Sequence, residues 1–424
     1  MSLIRRLACA ALSVCLAASL AGCGSGNSDG TVNLTFQIWD VAQRDGMQAM
    51  CDAYTAQHPN VNIEVQVTSW NEYWTKLEAA AMSGKMPDIF WMHTNEILKY
   101  ADNGKLADCS DIVDTSHFSD ISLANASGSD GKLYAVPKDK DTVGLVYNKE
   151  MFDAAGVAYP DESWTWDDLV SASQAIYDAT GKYGYMAYGD DQLGYWNFVY
   201  QAGGSILTDN NTRANFTDPA TEKAMKFYIG LQSYDWCPDQ NYFAETAPGA
   251  AFFSEKGAMF FEGDWNILTE LQNYPEMVGK WDVAVLPKCP DPVSGDGRAT
   301  ISNGLSYATG ANNKHMDIVK DVLKFFGSEE GQRIQGESGA AIPAYEGLED
   351  TWVGVFKDYP INVQCFIDMF DYSVQSVNNA ARPEWKSKVS DTLLKIYSGE
   401  LDLDTGLQNM QDIVNEASAE YYEE

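Results

Sequence analysis

The chain has 424 residues, with 61 aspartates and glutamates against 28 lysines and arginines, a formal charge of −33. So acidic a surface repels phosphate backbones and anionic headgroups, which argues against nucleic acid as a partner. The length exceeds what one hydrophobic core usually supports, so more than one lobe is expected.

Arg5 and Arg6 precede an apolar run over residues 7–20, too short to remain as a mature transmembrane helix, so residues 1–22 read as a secretory signal. Leu20-Ala21-Gly22-Cys23 resembles the bacterial lipobox, which makes Cys23 the acylated first residue of the mature protein. Residues 23–30 (CGSGNSDG) then form a flexible tether. No later stretch carries the ~18 uninterrupted apolar residues a transmembrane helix needs. The expected location is the extracellular face of a bacterial membrane, with lipid as the only anchor. Of the remaining cysteines, Cys51, Cys109, Cys237, Cys289 and Cys365 show neither a CxxC nor a metal-ligand spacing, and their pairing is open. His58, His93, His117 and His315 are scattered, so no zinc constellation arises and no cofactor is expected.

The spacing predicts a strand over 32–39 (VNLTFQIW), a helix over 42–57, a strand over 61–67 (VNIEVQV), a helix over 71–82, a strand over 88–91 and a helix over 95–101. Strands alternating with helices in this way build a parallel sheet with covering helices. Ligands of such sheets bind outside the carboxyl ends of the strands, and each loop expected there carries a tryptophan: Trp39, Trp70 and Trp91. An aromatic face beside polar groups suits a pyranose ring, and Asp40, Glu72, His93 and Asn95 are the candidate polar partners.

The stretch 131–151 (GKLYAVPKDKDTVGLVYNKEM) holds two extended runs, 132–136 and 142–147, separated at Pro137, where pairing should break. It reads as a crossing between lobes, which puts Asp139 and Asp141 at their seam. Asp139, Asp141, Gly144 and Glu150 also match four positions of a twelve-residue calcium loop. Val143 stands where a ligand is needed, and the flanks alternate as strands, so no metal is expected. Beyond the crossing come a helix over 166–180 capped at Thr165 and closed by Gly181, a strand over 183–187, a helix over 195–202 and a helix from Asp218-Pro219. Strands over 256–261 and 281–286, a turn-rich loop over 287–298, a strand over 300–309 (TISNGLSYAT) and a helical remainder follow.

These pieces resemble the extracellular solute-binding proteins of ATP-driven sugar importers, family 1, the maltose-binding type. The resemblance rests on the lipobox, IWD, PDIFWMH, GKLYAVPKDKDTVGLVYNKEMF, WTWDDL, YWNFVYQAGG, GAMFFEGDW, ISNGLSYAT, KDVLKFFGSEEGQ and AAIPAYEG, in that order over the mature chain. It implies a two-lobed, type II periplasmic-binding-protein-like α/β fold with discontinuous domains joined by hinge segments. Residues 31–137 and 301–343 would form one lobe, and 138–300 with 344–424, including C-terminal helices, the other. The resemblance further implies Trp39, Asp40, Trp91, His93 and Thr94 as ligand residues of the first lobe, Asp141 as a hydroxyl-binding carboxylate, and Trp196 and Trp265 as stacking platforms. Asp264 lies beside Trp265, and Asn303-Gly304 matches a turn on the ligand side. Trp70, Tyr73, Arg382 and Glu262 complete the set; Arg382 also reads as a helix brace and Glu262 as half of a structural ion pair. The implied activity is binding of an oligosaccharide and its delivery, as a monomer, to the permease subunits of an ABC importer, without chemistry. The alternative is a lipid-anchored glycoside hydrolase, which needs two carboxylates flanking the scissile bond; no nucleophile elbow or other hydrolase motif is present.

Overall fold

A computed structural model describes residues 30–208 and 210–422. The signal segment, Cys23 and all of the tether except Gly30 lie outside the described residues. Two sheets organise the chain. The first has the strand order Val61–Val67, Val32–Ile38, Ile89–His93, Leu305–Ala308, Val136–Pro137. Its first three strands are mutually parallel, and Leu305–Ala308 runs antiparallel to both of its neighbours. The period-two alternation of strand side chains is visible in its middle strand. Ile89 and Trp91 pack on one face with Met47, Val319 and Phe326, while Phe90 and Met92 pack on the other with Tyr73, Leu77 and Ile97. Both faces are therefore covered by helices, as a largely parallel sheet requires.

The second sheet has the order Trp281–Ala284, Val143–Asn148, Gly257–Gly263, Tyr183–Tyr185, antiparallel except for the last pair. Its core draws in the helix Trp166–Thr180, which Thr165 and Asp168 start with a capping box and Gly181 closes at φ 66°. The terminal helices Arg382–Tyr397 and Leu403–Tyr422 bury Trp385, Leu393, Met410 and Val414 in that same core.

Sheet membership changes twice in these regions. The chain leaves the first sheet at Pro137 and enters the second at Val143. It comes back between Thr300–Ser302, which pairs in parallel with Ser373–Gln375, and Leu305–Ala308. The expected single strand over 300–309 is thus two, broken at Asn303-Gly304. Gly304 sits at φ 68°, and a Cβ there would stand 2.8 Å from the Asp139 carbonyl oxygen, so only glycine lets the two crossings approach this closely. The strand ends at Pro137, where pairing was expected to break, although Pro137 is itself its last paired residue. It is opposite Ser306 on an edge strand, where its missing N–H deprives no neighbour. Cys51, Cys109, Cys237, Cys289 and Cys365 are all buried and, among the described residues, unpaired.

Candidate functional site: a cleft at the seam

A cavity of about 440 Å³ opens at the carboxyl ends of Val32–Ile38 and Ile89–His93. The first body supplies Trp39, Asp40, Trp70, His93 and Asn95, and the crossings supply Asp139, Asp141 and Leu305. The second body supplies the turn Asp190–Leu193, Asp264–Asn266 and Lys386. A larger groove of about 540 Å³ lies on the opposite end of the first sheet, beside Met86 and Asp88 ahead of Ile89–His93. It meets no residue of the second body and has no aromatic side chain in its wall.

The first wall is an aromatic cluster. Trp39 meets Trp70 and Tyr73 edge to face, each at 5.0 Å between centroids, and Trp91 likewise at 5.0 Å. Such edge-to-face contacts hold indoles in place while leaving a face free. His93 ends its strand and caps the helix Thr94–Asp102: its Nδ1 accepts from the Asn95 N–H at 3.1 Å. Burial, then the charges of Arg382 and Lys386, push the imidazole down to about 3, so it is neutral with Nε2–H left as a donor.

The floor is built from buried charge. Lys138 is wholly buried, with Nζ 2.6 Å from Asp139 Oδ2, 3.0 Å from Gln43 Oε1 and 4.6 Å above the Trp91 ring. Asp139 Oδ1 accepts from the Leu305 N–H at 2.5 Å and Asp141 Oδ1 from the Asn303 N–H at 2.6 Å, so each carboxylate pins the returning strand. Burial, then the charge of Asp139, raise Asp141 to about 7. Asp264 Oδ1 accepts from the Thr142 N–H at 3.0 Å, while Oδ2 is buried without a partner. Burial, then Asp141, lift Asp264 well above the usual carboxylate range.

On the far wall Trp265 lies across the end of strand Gly257–Gly263. A Cβ on Gly263 would stand 2.2 Å from its ring, so the glycine is what lets the indole fold there. Asp190 caps the short π-helical turn Asp191–Tyr195 by accepting from the Leu193 N–H at 2.8 Å. Burial, then Asp191, raise Asp190 to about 6. Burial alone would raise Asp191 too, but Arg382, at 2.5 Å, and Lys386, at 3.6 Å, hold it below the usual value.

Of the residues singled out in the sequence, the cleft brings together Trp39, Asp40, Trp70, His93, Asn95, Asp139, Asp141, Asp264 and Trp265. Others stand behind it. Trp91 is wholly buried under Lys138, because its strand runs two residues further than expected and alternation turns that ring into the core. Trp196 is wholly buried on helix Trp196–Gln201, with the Arg382 guanidinium 5.3 Å from its ring. Arg382 therefore braces both Trp196 and Asp191 and does not line the cavity. Thr94 Oγ1 donates to the carbonyls of Asn303 at 2.7 Å and Gly304 at 3.1 Å, tying the first body to the returning crossing. Asn303 is buried with both side-chain polar atoms unpartnered. Among the described residues Glu262 has no ion-pair partner. Its Oε1 accepts from the Gly263 N–H and Asn266 Nδ2, and it faces a separate chamber of about 270 Å³ with Glu270. Asp139 and Glu150 of the calcium-like spacing diverge to different lysines, Lys138 and Lys280. Sequence reasoning missed Asp190, Asp191 and Lys386; the GDD turn ahead of YWNF was the available signal, an aspartate before a helix.

Two α/β bodies meeting around an aromatic, carboxylate-lined cleft define a solute-binding protein. The model of the bacterial extracellular solute-binding protein family matches residues 40–333, and the chain belongs to that family. It is 24% identical over 353 residues to the diacetylchitobiose binding protein of Streptomyces coelicolor, covering 79% of this chain and 81% of that one. The fold is shared with the cycloalternan-bound ABC substrate-binding protein of Listeria monocytogenes, at TM-score 0.80 and 22% identity over 91% of this chain and 98% of that one. The cyclic alpha-maltosyl-1,6-maltose binding protein of Arthrobacter globiformis superposes at TM-score 0.77 with 25% identity, covering 92% of this chain and 100% of that one.

Proposed function

We propose that the protein binds an oligosaccharide in the cleft between its lobes and hands it unaltered to the permease of an ABC importer. On this reading it works as a monomer held by lipid at Cys23 on the outer face of the membrane. The observation that carries the reading is the placement of indoles from both bodies, Trp39 and Trp70 from one and Trp265 from the other, on a single cavity with carboxylates between them. Closing the lobes takes the apolar faces of sugar rings out of water against these indoles, while each hydroxyl removed from water needs a hydrogen-bond partner. Asp40, Asp141, Asp264 and Asn95 accept, and the neutral His93 donates. The relatives' names support the ligand class: one binds diacetylchitobiose, another a cyclic maltosyl-maltose. The residue bounds of the lobes and the hinge motion are part of the same proposal, with the crossings at 138–142 and 303–304 as the bending points. The test is calorimetry against a panel of oligosaccharides, with the sugar recovered and sized by chromatography afterwards. Saturable binding of a sugar that returns intact is the expected result; a shortened sugar would make the protein a hydrolase.

A further inference from the structure

The cleft gathers more carboxyl groups than its own cations pair with. Six carboxylates line it: Asp40, Asp139, Asp141, Asp190, Asp191 and Asp264. Lys138 is committed to Asp139, at 2.6 Å, and both Arg382 and Lys386 to Asp191, at 2.5 and 3.6 Å. The other four are met by neutral donors: Ala42 N–H and Gln43 Nε2 on Asp40, Asn303 N–H on Asp141, Leu193 N–H on Asp190 and Thr142 N–H on Asp264. Asp264 is 2% exposed, and its Oδ2 has no partner among the described residues. Burial and mutual repulsion favour the protonated forms of Asp264 and Asp141, and a neutral sugar, which brings no charge, leaves that repulsion in place. A positively charged ligand removes that repulsion. The indoles Trp39, Trp70 and Trp265 on the same cavity favour an organic ammonium, which attracts ring faces, over a small hydrated metal ion.

Resting on the sugar-binding reading above, we propose that this cleft selects a basic oligosaccharide, one whose rings carry a protonated amino group, with Asp264 and Asp141 as the groups that meet the ammonium. The deciding experiment uses matched sugars that share a backbone and differ in one substituent. For each of several linkages, affinities are measured by calorimetry at neutral pH for the neutral, the N-acetylated and the free-amine oligomer of equal length. The tightest ligand is expected to be a free-amine member, at least tenfold tighter than its neutral and acetylated counterparts. Asp264→Asn should remove most of that advantage, while the surface change Asp412→Asn keeps it, which separates a cleft effect from general attraction to an acidic protein. If the tightest ligand is neutral or acetylated, or if Asp264→Asn leaves the ranking unchanged, the amine preference is overturned and the sugar-binding reading stands. If no member of any set binds, the sugar-binding reading itself fails.

Discussion

Tryptophan is the residue on which this molecule turns, and its neighbours divide its roles. Trp265 and Trp70 keep part of their surface open to the cleft, whereas Trp196 and Trp91 have none. Trp196→Ala should therefore act on folding, costing about 3–5 kcal/mol of stability with its cavity unfilled; urea unfolding of the sugar-free protein measures it. Lys138→Met is expected to cost a similar amount, about 3–5 kcal/mol, because it leaves Asp139 buried without its partner. Residue type was legible in the sequence and residue exposure was not. The WMHTN segment reads as a loop beyond a short strand, but the strand continues to His93, and the alternation that buries Ile89 also buries Trp91. Asp139 and Asp141 were expected at the seam because 131–151 reads as a crossing between lobes, and both line the cleft.

At the scale of elements, two glycines decide whether the cleft can exist. Gly263→Ala should push the Trp265 ring off its strand, weakening sugar binding while leaving the midpoint of thermal unfolding nearly unchanged, because the atoms met are those of one partly exposed side chain. Gly304→Ala differs, since φ 68° and a backbone oxygen both oppose the new Cβ. A loss of about 1–3 kcal/mol is expected in the same unfolding assay. The alternating strands and capped helices were readable because local pattern and tertiary role agree, as in Trp166–Thr180 with its capping box and closing glycine. The break at Asn303-Gly304 was hidden inside a continuous alternating run; what splits it is the neighbouring crossing, which a local pattern does not contain. The π-helical turn Asp191–Tyr195 escaped for a related reason, as it depends on Gly194 leaving helical geometry at φ −136° and ψ −120°.

For the whole molecule, buried carboxyls couple stability to pH. Burial raises Asp190 to about 6, Asp141 and Glu262 to about 7 and Glu270 to about 8. In the unfolded chain such groups ionise near ~4, so between these limits the folded state binds more protons. Stability should then fall as pH rises through about 6 to 8. His93, lowered to about 3, acts in the opposite sense, but only below the ~6.5 at which it titrates when unfolded. The sugar-free protein is expected to melt at a lower temperature at pH 8 than at pH 6.5; a higher melting temperature at pH 8 would contradict this balance. The two-lobed plan was legible from chain length, from the repeat of strand and helix on either side of 131–151, and from the family resemblance. The carboxyl-lined wall of the cleft was not, since it assembles Asp40, Asp190 and Asp264 from three distant segments.

Rings from two bodies grip one sugar on this proposal, and Trp265 is the ring whose loss tests it. Calorimetry on Trp265→Ala, against whichever oligosaccharide the unaltered protein binds best, should show affinity reduced about tenfold to a hundredfold with the melting temperature unchanged. Affinity equal to that of the unaltered protein would place the sugar elsewhere.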